Sequence, residues 1–150
     1  MNKCLSEKSS SIKEVYPAVF DVVQQRPFFL SGVSAGFPSP ADDYLDRKLD
    51  LNEHLVKNPA ATFFVRVAGD SMTGAGINDD DILIVDRSLE PSSNNIVIAV
   101  VNGELTVKRL IKKKNSCLLS AENPNYPPLT INEETPLEIW GVATYAIHSL

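Results

Sequence analysis

The sequence predicts a mainly β protein: one antiparallel β domain with short helices at its edge and an extended N-terminal arm. Three observations lead there. Beyond Pro59 the chain is a succession of short runs rich in β-branched and aromatic residues, separated by turn residues at close spacing. Asn102-Gly103, between two of these runs, is the preferred two-residue hairpin turn. Before Asp42, Pro17, Pro27, Pro38 and Pro40 prevent a long helix.

Taken in order, residues 1–41 read as an arm. Ser9-Ser10-Ser11 has the composition of a flexible stretch, and Val15–Val23 could form one short amphipathic turn or strand, such as Ala18–Val23. From Asp42 to Asn58 the pattern turns helical. Tyr44, Leu45, Leu49, Leu51 and Leu55 recur at three-, four- and six-residue steps, and Pro59 stops the run. Two short helices are expected, near 42–47 and 51–57, the second with Asp50 as N-cap and Glu53 in the reciprocal capping position. Strands are then expected at Thr62–Val67, Ile82–Asp86, Ile96–Val101, Leu105–Lys112, Cys117–Ala121 and Leu137–Ile147. The basic run Lys112-Lys113-Lys114 reads as a solvated hairpin turn.

At 150 residues the chain is long enough for a single core. Its longest apolar run, Ile96–Val101, is far short of a membrane span. The polar start Met1–Lys8 lacks the apolar stretch of a signal peptide, so a cytoplasmic protein is expected. Cys4 and Cys117 are the only cysteines, too few for a disulfide framework or metal site. With His54 and His148 far apart there is no metal-ligand set, and no cofactor is expected. Residues 1–35 carry four basic and three acidic side chains, a balance of +1, and residues 36–150 carry ten and sixteen, a balance of −6. An acidic body does not favour direct DNA binding, and the proline-bearing arm leaves no room for a helix-turn-helix.

The chemistry-bearing residues are Ser71, in Gly69-Asp70-Ser71-Met72, and Lys108, in the strand-like run Glu104–Leu110. A serine hydroxyl needs a base to become a nucleophile, and a lysine kept neutral by burial can replace histidine. Glycines around Ser71 let the backbone N–H groups of Ser71 and Met72 approach a developing oxyanion. Each residue also has an ordinary reading. Gly-Asp-Ser turns are commonplace, and most strand lysines are solvated. Lys108 shares a strand face with Thr106 and Leu110, which by itself does not establish burial.

Phe37-Pro38-Ser39-Pro40-Ala41-Asp42-Asp43-Tyr44, Asp50-Leu51-Asn52, Gly69-Asp70-Ser71-Met72, Asp81–Asp86 and Thr106-Val107-Lys108 together resemble the UmuD/LexA-type self-cleaving serine peptidases, family S24. The resemblance runs in order from about Gly36 to His148. It implies a LexA/signal-peptidase-like β domain over 36–150 behind a cleavable arm, 1–35. It also implies Ser71 as nucleophile, Lys108 as general base and Ala35-Gly36 as the scissile bond. By the same resemblance, cleavage would be stimulated by the RecA filament on single-stranded DNA. The shortened product would form a homodimer and join a UmuC-type subunit in the error-prone DNA polymerase V of the SOS response. The competing expectations are a LexA-like repressor fragment and a catalytically inert partner module.

Overall fold

The computed structural model describes residues 11–18, 25–29 and 45–150, in two compact units, one taking in residues up to Ala18 together with Asn58–Leu150 and the other Val19–Lys57. The step Ala35-Gly36, the segment 19–23 and Cys4 lie outside the described residues. No helix among the described residues is long and apolar enough to cross a membrane.

In the smaller unit, β2 (Gln25–Phe29) pairs antiparallel with β3 (Leu45–Asp50), with Gln25 opposite Asp50 and Phe29 opposite Leu45. This corrects the helix expected near 42–47, since the chain from Leu45 is strand. The misreading has a physical origin. Residues four apart share a face in a helix and also in a strand, so Leu45 and Leu49 fit both periods. The deciding partner, β2, is remote in sequence. The second expected helix is present as α1 (Leu51–Leu55). Asp50 caps it as expected, its carboxylate accepting from the Asn52 N–H at 2.8 Å and the Glu53 N–H at 3.4 Å.

The larger unit contains β1 (Ser11–Pro17), β4 (Thr62–Ala68), β5 (Ile82–Asp86), β6 (Ile96–Val101), β7 (Glu104–Lys112), β8 (Cys117–Ser120), β9 (Leu129–Ile131) and β10 (Leu137–Ile147). They form one antiparallel sheet in the order β1-β4-β5-β10-β6-β7-β8-β9. The sheet curls until β1 also meets β7, where Ser11 pairs with Thr106. The six strands foreseen from β-branched runs are all present within a residue or so. Two differ from expectation: β1, which overlaps the possible strand or turn at Val15–Val23 only over Val15–Pro17, and β9, a three-residue strand directly after Pro127-Pro128 that was not foreseen. The hairpin β6-β7 turns at Asn102 (φ +50°) and Gly103 (φ +83°), the paired positive angles that Asn-Gly tolerates best. Lys112, the last residue of β7, and Lys113 and Lys114 in the turn to β8 are all exposed, as expected.

Two buried clusters fill this unit. Val65, Val67, Met72, Ile77, Leu83, Val85, Ile98 and Val107 form the first; Val97, Ala99, Val101, Leu110, Leu119, Ile131 and Val142 form the second. On β6 the alternation places Val97, Ala99 and Val101 in one cluster and Ile98 in the other, as a strand buried on both faces requires. Across the hairpin, Lys108 lies opposite Val97 and Thr106 opposite Ala99. Directly opposed residues share a face, so the lysine is placed beside the second apolar cluster.

Candidate active site

Ser71 follows β4, in the turn that leads to a short 3-10 stretch at Thr73–Ala75. The neighbouring Met72 is fully buried in the first cluster, which fixes the turn to the body. Lys108 stands in the middle of β7. Thirty-seven residues apart in sequence, the two side chains meet with Lys108 Nζ 3.2 Å from Ser71 Oγ. Neither is solvent-facing: Ser71 is 0% exposed and Lys108 8%.

Two further oxygens surround the amine. Nζ lies 3.1 Å from Thr106 Oγ1 and 3.2 Å from the Val107 carbonyl oxygen. A neutral amine has two N–H donors and one lone pair. As an ammonium Lys108 donates to all three oxygens; once neutral, with its two N–H groups on Thr106 Oγ1 and Val107 O, it would turn its lone pair to the Ser71 hydroxyl. Burial lowers the Lys108 pKa from its ordinary value, because removing an ammonium from water penalises the charged form. The sequence left open whether Lys108 is buried; the curl of the sheet and the apolar partners Val97 and Ala99 bury it. Thr106 was noted as a face-mate and carried no assigned role, although a residue two before Lys108 on one strand must stand beside it. If Lys108 serves as a base, Thr106→Val should slow the reaction it assists roughly tenfold, the loss of about one hydrogen bond, with little change in fold. A rate constant measured beside a thermal melt checks this.

A second set of contacts holds the serine turn in place. The Glu122 N–H donates to Ser71 O at 2.8 Å, and the Gly74 N–H donates to Glu122 O at 2.7 Å. Asn123 Nδ2 donates to the Asp70 carbonyl oxygen at 2.9 Å. The Tyr126 hydroxyl donates to Asp70 Oδ1, and this bond pushes the Tyr126 pKa up. Arg109, next to Lys108 on β7, bonds through Nε to Glu122 Oε1. One strand therefore carries the lysine and also anchors the loop that fixes the serine. Sequence reasoning missed this loop, since nothing local ties 122–126 to 70–74. Gly74 is required by the approach: a Cβ there would lie 2.5 Å from the Glu122 carbonyl oxygen. Gly74→Ala should cost about 1–3 kcal/mol, the usual range for overpacking a tight contact, and displace Ser71. Both a lowered melting temperature and lost activity are expected.

In front of Lys108 opens a pocket of about 410 Å³, lined by Val101, Asn102, Glu104, Thr106 and Lys108 on one side and Tyr126–Leu129 on the other. Lys108 lines this pocket, and Ser71 lies behind it, buried against the amine. No group of His, Cys, Asp and Glu that could hold a metal occurs among the described residues. His54 lies in α1 of the smaller unit, and His148, beyond β10, is not among the residues lining this pocket.

Comparison with known proteins identifies the family of this chain. The family model described as Peptidase S24-like matches residues 27–144, a span that includes Ala35, Gly36, Ser71 and Lys108. Protein SamA of Salmonella typhimurium is 46% identical over 134 residues, covering 89% of this chain and 93% of its own. Protein MucA of Escherichia coli is 44% identical over 126 residues, covering 83% and 86%. The LexA repressor of Shewanella denitrificans is 39% identical over 100 residues, 67% of this chain and 48% of its own.

Proposed function

The chain belongs to the S24-like peptidase family, and from that premise we propose that it is a self-cleaving serine-lysine peptidase of the SOS response that cuts its own arm between Ala35 and Gly36. The observation that carries this reading is the contact of a buried lysine amine with a buried serine hydroxyl, 3.2 Å apart. In the neutral state of Lys108 the Ser71 O–H donates to the amine lone pair. Ser71 Oγ attacks the carbonyl carbon of Ala35 as Lys108 takes its proton. The main-chain N–H groups of Ser71 and Met72 are the candidate donors to the oxyanion. As the C–N bond breaks, the Lys108 ammonium returns the proton to the departing amine of Gly36. Water, deprotonated by the same amine, then hydrolyses the Ala35 ester and frees Ser71. Ala35 and Gly36 are small enough to let a backbone approach closely.

On this reading residues 36–150 are the working product and 1–35 the discarded arm. RecA on single-stranded DNA would accelerate the cut by favouring the docked arm, contributing no catalytic group of its own. The product would pair with itself and with a UmuC-type subunit of an error-prone polymerase. Intact-mass analysis of the full chain at alkaline pH, with and without RecA, ATP and single-stranded DNA, tests the proposal. Two fragments splitting between Ala35 and Gly36 are expected. A chain that stays whole under both conditions would leave the inert-module reading in its place.

A further inference from the structure

The arm does more in this structure than lead to a cleavage site. Its segment β1 is an integral strand of the larger unit. Ser11 to Pro17 run antiparallel along β4, from Ser11 opposite Ala68 to Pro17 opposite Phe63, and Ser11 also pairs with Thr106 of β7. Ile12 packs against the first buried cluster, the one containing Val65, Val67 and Met72. Lys13 lies 3.4 Å from both Asp79 and Asp80, and Glu14 lies 3.1 Å from Arg66. β1 thus closes the gap between β4 and the strand that carries Lys108.

We propose that Ser11–Pro17 is a docking strand that keeps the arm bound to the body after the backbone has been cut, so that scission and release of the arm are separate events. This rests on the cut at Ala35-Gly36 for its setting, since Ser11–Pro17 lies on the arm side of that bond. The physical argument is that of an added strand. Main-chain hydrogen bonds supply affinity, and alternate side chains supply specificity. None of these contacts involves the bond between 35 and 36, so breaking it removes none of them. What it does remove is the tether that makes rebinding intramolecular, which weakens retention by concentration alone. The ion pairs at Lys13 and Glu14 are solvent-exposed and contribute little. The ladder and Ile12 therefore carry the attachment, and salt should release the arm only weakly. A bare β4 would be an unpaired sheet edge, of the kind proteins keep covered.

The test uses the full chain carrying Ser71→Ala, with residues 31–34 replaced by the recognition site of a foreign sequence-specific protease. The foreign enzyme makes the cut, so the outcome does not depend on whether Ser71 cuts. Native mass spectrometry and gel filtration at micromolar concentration then ask whether the arm leaves. Retention of the arm, with β1 and β4 amides still slow in hydrogen exchange, is expected. Ile12→Asp in the same chain should weaken retention by roughly tenfold or more, the effect of losing one buried aliphatic contact. Hydrogen exchange over β5, β6 and β10 verifies that the body stays folded, and Ile12→Ala, a milder change, should weaken retention in the same direction. Immediate loss of the arm from the unaltered docking strand overturns the proposal. So does retention that neither Ile12 substitution changes.

Discussion

Self-cleavage should fall by about three to six orders of magnitude when either Ser71 or Lys108 is replaced by alanine, the range seen when nucleophile or base is removed from a coupled catalytic pair. The two losses should not add, because each residue is useless without the other. Ser71→Ala removes the attacking oxygen and leaves the amine held by Thr106 and Val107 O. Lys108→Ala leaves a serine with no proton acceptor at the 3.2 Å position. Lys108→Arg should be as inactive as alanine, since a guanidinium does not give up its proton in proteins. Lys108→Met separates chemistry from folding. It keeps the volume, needs no charge in a site that is 8% exposed, and should melt at or above the wild-type temperature while cutting nothing. Fragment appearance by intact mass, beside thermal melts of the four variants, measures both. A Lys108→Met chain that still cuts would remove lysine from the mechanism.

The rate of unassisted cleavage should climb with pH, about tenfold per unit, until it levels off at the folded pKa of Lys108. The sign follows from burial. Removing the amine from water lowers its pKa below the ordinary 10.5, so the neutral, proton-accepting form is reached at lower pH than for a solvated lysine. Stability moves in the same direction for the same reason. Between the lowered folded pKa and the unfolded value near 10.4, the unfolded chain holds the proton that the folded chain has lost. The free energy of unfolding therefore gains a contribution that rises with pH across that window. Below the folded pKa both states are protonated, and the cost of burying the ammonium is fully present. A rate that is flat or falls from neutral to alkaline pH would exclude Lys108 as the base. In Lys108→Met the pH-dependent gain in stability should disappear from urea unfolding curves.

Some of this protein is written locally, and some is not. The strands Thr62–Ala68, Ile82–Asp86, Ile96–Val101 and Glu104–Lys112 were legible because β-branched runs and the Asn102-Gly103 turn specify themselves within a few residues. The Asp50 cap was legible for the same reason: its partners are the next two or three amides. Strand β3 was misread, because the spacing of Leu45 and Leu49 suits a helix and a strand alike and only pairing with β2 decides between them. β1 was misplaced: a short strand or turn was allowed over Val15–Val23, but the strand runs over Ser11–Pro17, because its partner β4 lies far downstream at Thr62–Ala68.

The sequence by itself determined which residues could do chemistry, Ser71 on its glycine-flanked turn and Lys108 on its strand, and that the body would be antiparallel β. Only the tertiary structure decided that the lysine is buried, that its amine reaches the serine, and that Thr106, Arg109, Glu122, Asn123 and Tyr126 hold the pair in place. The reason is one of range. Side-chain type and strand period are properties of neighbours in the chain. The environment that buries this lysine beside the serine comes from β6, β7 and the 122–126 loop, brought together by the curl of the sheet.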